Sequence, residues 1–91
     1  MERYLIIFKG RVQGVGFRYT CMLIANKYGL TGYSQNLDNG DVKVEIQGND
    51  TAFTNFLKDI LNTDSSFINI EDYAIKKIEV KEKEKNFTIR Y

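Results

Sequence analysis

Tyr4-Leu5-Ile6-Ile7-Phe8-Lys9-Gly10-Arg11-Val12-Gln13-Gly14-Val15-Gly16-Phe17-Arg18 passes from an apolar block, through three glycines in seven residues, into an amphipathic segment. Tyr4 to Phe8, rich in β-branched and aromatic side chains, reads as a central strand covered on at least one side. Gly10 to Gly16 reads as a loop whose backbone must turn sharply or approach something closely. From Phe17 to Tyr28 neither glycine nor proline intervenes, and Phe17, Cys21, Ile24, Ala25 and Tyr28 recur at spacings of three and four. That spacing predicts a helix with one buried face, stopped by Gly29 in the left-handed conformation that ends many helices. Strand, glycine loop and helix are the first half of a strand-helix-strand unit.

Working outward, Thr31 to Leu37 and Asp41 to Gln47 flank Asp38-Asn39-Gly40, with Val42, Val44 and Ile46 alternating against Lys43, Glu45 and Gln47. This predicts a β-hairpin. Asn49-Asp50-Thr51 offers capping oxygens, and Phe53, Phe56, Leu57, Ile60 and Leu61 follow at helical spacing, so a second helix is expected over 51–61. Asn62 to Ser66 reads as loop, Ile70 to Val80 as a strand, and Phe87, Ile89 and Tyr91 as a short closing strand. The charge run from Lys81 to Lys85 between those strands is expected to be a turn or a solvated edge. Two strand-helix-strand units with right-handed crossovers give an α+β, ferredoxin-like split βαβ (βαββαβ) two-layer sandwich, with an antiparallel sheet and both helices on one face. That architecture hosts RNA binders, metabolite sensors and enzymes, so function must be read from a site.

The 91 residues fit one domain over 1–91, with a folded surface of about 5,500 Å² expected for this mass. A composition of 43% hydrophobic and 27% charged residues excludes disorder for the bulk of the chain. A net charge of +1 argues against a nucleic-acid partner, because such affinity comes from neutralising several phosphates at once. One cysteine and no histidine rule out an intrachain disulfide, an ordinary zinc site and any nucleophile activated by imidazole. No run of apolar residues is long enough to span a membrane, and the N-terminus lacks a signal-peptide core, so a cytoplasmic protein without membrane association is expected. A monomer is the expected state, though no residue pattern argues for it.

The glycine loop ahead of a helix is where an anion would bind. Successive main-chain N–H groups form a concave nest, the helix N-terminus adds unpaired donors, and Arg18 in the first turn could close over the same point with a planar fork. It is not a Walker loop, which needs Lys and Ser or Thr after its last glycine, and Tyr19 stands where a dinucleotide fingerprint needs a third glycine. Taken alone, such a loop serves a tight turn as readily as a ligand.

The letters say more than the pattern. Gly10-Arg11-Val12-Gln13-Gly14-Val15-Gly16-Phe17-Arg18 resembles the acylphosphatase signature throughout, and Gly32-Tyr33-Ser34-Gln35-Asn36-Leu37-Asp38-Asn39-Gly40-Asp41-Val42 resembles that family's second motif at the family's spacing. The resemblance covers the whole chain, including the closing Phe87-Thr88-Ile89-Arg90-Tyr91. It implies hydrolysis of a small-molecule acyl phosphate to a carboxylate and inorganic phosphate, with no metal and no organic cofactor. It implies that Arg18 binds the phosphoryl group together with the amides of Gln13, Gly14, Val15, Gly16 and Phe17, and that Asn36 orients the attacking water. Ser34, where a small apolar residue is usual, and the Asn62 to Asn69 connection, which lacks the family's common Gly-Pro pair, depart from the pattern without falling on a matched functional position. A larger carbamoyl-transfer enzyme, another home for this domain family, is not expected at this length.

The chemistry agrees with that implication. A carboxylate leaves readily, with a pKa of about 4 to 5, so a chain without histidine can still break an acyl phosphate. What remains is to hold the phosphoryl group, spread its charge and place a water in line. The Asn36 amide cannot take a proton at neutral pH, so its role would be positioning, with a phosphate oxygen of the substrate as proton acceptor. Two other function classes compete. A catalytically silent phosphoanion-binding module would keep the loop and lose the water-positioning group, and an RNA-binding module would display aromatics on the open sheet beside a basic surface. Cys21, on the core face, is expected to be packing rather than a nucleophile. Tyr33 fits either pocket or sheet, and the Lys/Glu alternation after Lys76 fits a solvated face.

Overall fold

In the computed structural model, which describes residues 1–91, seven elements follow one another: β1 (Glu2–Arg11), α1 (Phe17–Lys27), β2 (Thr31–Asn36), β3 (Val42–Gly48), α2 (Asp50–Leu61), β4 (Asn69–Ile78) and β5 (Phe87–Arg90). The five strands form one sheet in the order β4-β1-β3-β2-β5. Alternation along β1 and β3 decides its two faces. Ile6 opposite Val44 and Phe8 opposite Val42 point to one side, where Phe17, Cys21 and Ala25 of α1 and Phe53, Phe56 and Ile60 of α2 close a single core over them. Both helices therefore lie on one face, as the sequence predicts. The edge-on ring pair of Phe8 and Phe17, 5.0 Å between centroids, ties β1 to α1 on either side of the glycine loop. The folded chain exposes 5554 Å², close to the value expected for its mass.

The sheet differs from expectation at one edge. β1–β3, β1–β4 and β2–β3 are antiparallel, but β5 runs parallel to β2, so the sheet is mixed rather than antiparallel throughout. Direction explains this. β4 runs against β1, the connection after it reverses the chain, and β5 reaches the far edge pointing the same way as β2.

Several boundaries also move. β1 runs from Glu2 to Arg11, so Gly10 and Arg11, expected in the loop, are strand residues paired with β4. β4 ends at Ile78, leaving Val80 outside the strand, and α2 begins at Asp50 because the Asn49 side chain accepts from the Ala52 N–H at 2.7 Å.

The connection itself is not simply a solvated run. Arg3 is completely buried on the face away from the helices, where its guanidinium meets the Glu84 carboxylate through two nitrogens at 2.7 and 3.1 Å and Glu45 at 3.0 Å. Gln47 clamps the Lys81 main chain from both sides, accepting from its N–H at 2.8 Å and donating to its carbonyl at 2.9 Å. These contacts fix the path by which the chain crosses from β4 to β5.

Candidate active site

β1 delivers the chain to Val12, which is buried, and two glycines then turn it into α1. Gly14 and Gly16 have φ of 72° and 78°, in the left-handed region where a side chain would be strained. Gly16 is the N-cap of α1 and brings no capping side chain, and the first turn holds no acidic residue. None of the main-chain N–H groups from Gln13 to Tyr19 donates to another main-chain group. The loop and the helix start thus present a run of free donors where the helix dipole is positive.

The hairpin brings Asn36 to this loop. Gln13 Nε2 donates to the carbonyls of Leu37 and Asp41, at 2.7 and 2.8 Å, and so staples the loop to the end of β2 immediately beyond Asn36. Asn36 Oδ1 is buried and no donor of the protein reaches it. A buried acceptor in that condition costs about 1–3 kcal/mol, which makes it a site for an incoming O–H.

Arg18 is held from the other side. Its Nη1 donates to the Arg90 carbonyl of β5 at 2.8 Å, its guanidinium carbon stands 4.7 Å from the centre of the Tyr91 ring, and its own carbonyl accepts from Ser34 Oγ at 3.4 Å. Four further N–H groups of the guanidinium remain for a ligand.

Gly14, Gly16, Phe17, Arg18 and Asn36 line one cleft of about 160 Å³, and Val12, Tyr19, Ile89 and Tyr91 complete its wall. At about 30 Å³ per water, that volume suits a phosphate-sized group with a short tail. Of the residues expected from the sequence, Gln13 and Val15 do not line the cleft. Gln13 spends its side chain on the staple and Val15 packs partly against the core, so each could contribute its main-chain N–H alone.

Sequence reasoning missed Val12, Tyr19, Ile89 and Tyr91 as cleft residues. The alternation of Phe87, Ile89 and Tyr91 was visible, but only the placement of β5 beside β2 turns it toward α1. Ser34, a departure from the family's pattern, lies beside a matched position: its hydroxyl donates to the Arg18 carbonyl. Cys21 is fully buried, and burial raises its thiol pKa far above the ordinary value, as a packing residue requires. Nowhere do three or more Cys, Asp or Glu side chains gather as metal ligands would.

A model of the acylphosphatase family matches residues 4–89. The chain belongs to the acylphosphatase family. An acylphosphatase from Clostridium acetobutylicum is 43% identical over 91 residues, covering all of this chain and 99% of the relative. The crystal structure of acylphosphatase from Bacillus subtilis superposes with a TM-score of 0.92 at 36% identity, each chain covering all of the other. The phosphate- and nucleotide-bound structure of full-length HypF contains a similar unit, with a TM-score of 0.88 and 29% identity over 99% of this chain and 12% of that one. The ferredoxin-like arrangement is thus the fold of the family, with β5 as the mixed edge described above. No helix here is long and apolar enough to cross a membrane.

Proposed function

We propose that this chain, as a single domain over 1–91, hydrolyses a small-molecule acyl phosphate to a carboxylate and inorganic phosphate, without metal or organic cofactor. The observation that carries the reading is that Gly14, Gly16, Phe17, Arg18 and Asn36 line one cleft, where the loop N–H groups have no main-chain partner and Asn36 Oδ1 has no donor within the chain. The loop amides and Arg18 hold the phosphoryl oxygens and take up the charge that develops on them. Asn36 Oδ1 accepts one O–H of a water and aims its oxygen at phosphorus, in line with the acyl oxygen. The P–O bond to that oxygen breaks as the new one forms, and the electron pair leaves with the carboxylate. A phosphate oxygen takes the proton that water gives up. Ile89 and Tyr91 offer an apolar side to the acyl group. Family membership supports the same reaction, and the acylphosphatases named above are relatives over essentially their full length.

The test is phosphate release from a small aromatic acyl phosphate in the presence of EDTA, for the wild type, Arg18→Ala and Asn36→Ala. Each variant is expected to lose about 10²- to 10³-fold in kcat while staying folded by circular dichroism. Folded variants that turn over like the wild type would remove both residues from the mechanism. A wild type that binds inorganic phosphate without turnover would reduce the site to a silent anion cradle.

A further inference from the structure

We propose that Asp41, its charge held by Lys9, is a positioning residue for Asn36: the ion pair fixes the corner of the hairpin from which Asn36 faces the cleft. The proposal rests on Asn36 orienting the attacking water. Asp41 stands between the Asp38-Asn39-Gly40 turn and β3, and it is buried where the three turn residues before it are exposed. A buried carboxylate needs partners. Lys9 Nζ, near the end of β1, lies 2.7 Å from Asp41 Oδ2, and Asn39 Nδ2 donates to the same oxygen at 3.2 Å. Asn39 Oδ1 in turn accepts from the Asp41 N–H at 3.0 Å, so the two residues close the turn on each other.

The main chain carries this hold to Asn36. The Asp41 carbonyl accepts from the Leu37 N–H at 2.8 Å and from Gln13 Nε2 at 2.8 Å. Leu37 directly follows Asn36, and Asn36 lies opposite Val42, which directly follows Asp41. Asn36 is thus fixed from its own strand and from the strand across from it, and both contacts run through Asp41. Phe8 is also opposite Val42, so Lys9 reaches the carboxylate from a strand already in register with this end of β3. Lys9 makes no other ion pair within the chain. The hydrogen bond to Asp41, and then the charge of that carboxylate, hold the Lys9 pKa above the ordinary lysine value.

The phosphate-binding side of the cleft is held by different contacts. Arg18 is fixed by the Arg90 carbonyl and by Ser34, and neither Lys9 nor the Asp41 side chain touches it. Gln13 keeps the Leu37 carbonyl as a second anchor for the loop. Loss of the ion pair should therefore disturb the placement of water and spare the grip on phosphate, which lowers kcat without weakening phosphate binding.

Lys9→Met and Asp41→Asn each remove one charge and keep most of the shape. Each is expected to lower kcat for a small aromatic acyl phosphate about three- to tenfold, with the inhibition constant of inorganic phosphate changed by less than about twofold. The double variant should lose no more than the larger single loss, because both substitutions break one interaction. Lys9→Arg, which keeps the charge, should hold kcat near the wild-type value. In an Asn36→Ala background, neither Lys9→Met nor Asp41→Asn should lower kcat further. The Lys9 side chain is half exposed, so Lys9→Met decides the matter even where Asp41→Asn fails to fold. Folded variants with wild-type kcat, losses that add in the double variant, phosphate affinity that falls along with kcat, or equal losses in both backgrounds each overturn the positioning role alone. An Asn36→Ala variant that turns over like the wild type overturns the reading of Asn36 itself, and the positioning role with it.

Discussion

Arg18 works in three directions at once: its fork reaches the Arg90 carbonyl, its plane approaches Tyr91, and its carbonyl receives the Ser34 hydroxyl. A lysine at this position would keep the charge and lose the fork, because an ammonium cannot hold the β5 carbonyl and two phosphoryl oxygens in one plane. Arg18→Lys is therefore expected to lower kcat/KM about 10²-fold and to weaken inhibition by inorganic phosphate, read from steady-state kinetics with phosphate as the competing ligand. A variant with both values near wild type would show that charge alone suffices. Arg18 and Asn36 were legible in the sequence because each sits inside a contiguous motif. Arg3 was not. It opens a strand like any surface residue, and only the folded chain reveals Glu45 and Glu84, 42 and 81 positions away, as its partners. Gly32 is a similar case. It was read as one letter of a motif, whereas the structure shows that a side chain there would put a carbon 1.9 Å from the Glu45 carbonyl oxygen.

Among the elements, the glycine loop and the β2–β3 hairpin function as one unit because a single carboxamide joins them. Gln13 Nε2 uses both of its hydrogens on carbonyls of the hairpin, which places the free amides of the loop against Asn36. Gln13→Ala should cost about 1–3 kcal/mol, since two partly buried carbonyls lose their donor. Gln13→Glu should cost more, because a carboxylate would then face those carbonyls as a third acceptor. Urea midpoints give the order, and kcat/KM should fall in the same order as the loop loosens. If Glu were tolerated as well as Ala, the staple would not be what holds the loop. At this scale the sequence located the hairpin, both helices and the loop, since each is written in local periodicity and turn residues. The parallel pairing of β5 with β2 was hidden, because no local pattern records which edge a closing strand will join.

Across the whole molecule, the buried charges around Arg3 join what local pattern leaves separate: β1 through Arg3, β3 through Glu45 and Gln47, and the connection to β5 through Glu84 and Lys81. β5 in turn carries the carbonyl that holds Arg18, so the network stands behind the cleft wall without touching it. Burial pushes the Glu45 carboxyl toward the neutral form, but the Tyr33 hydroxyl, Arg3 and Lys81 more than offset that and hold its pKa below the ordinary carboxylate value. For a carboxyl lowered in this way, the folded state binds fewer protons than the unfolded one as pH falls. Its stabilisation is fully present above the unfolded value of about 4.3 and disappears as pH drops through the lower, folded value. Glu45→Gln should therefore destabilise by about 1–3 kcal/mol at pH 7, equivalent to at least 4 °C in Tm for a chain of about this size. In acid the wild type loses the same charge, so the gap between the two proteins should narrow toward pH 3. Urea unfolding at both pH values measures that difference directly, and an equal gap at each would mean that Glu45 acts through packing rather than through its charge. Should the gap close as expected, β5 is held in register by charge, and the grip on Arg18 should loosen with acid before the core of Ile6, Phe8, Val44 and Phe56 gives way.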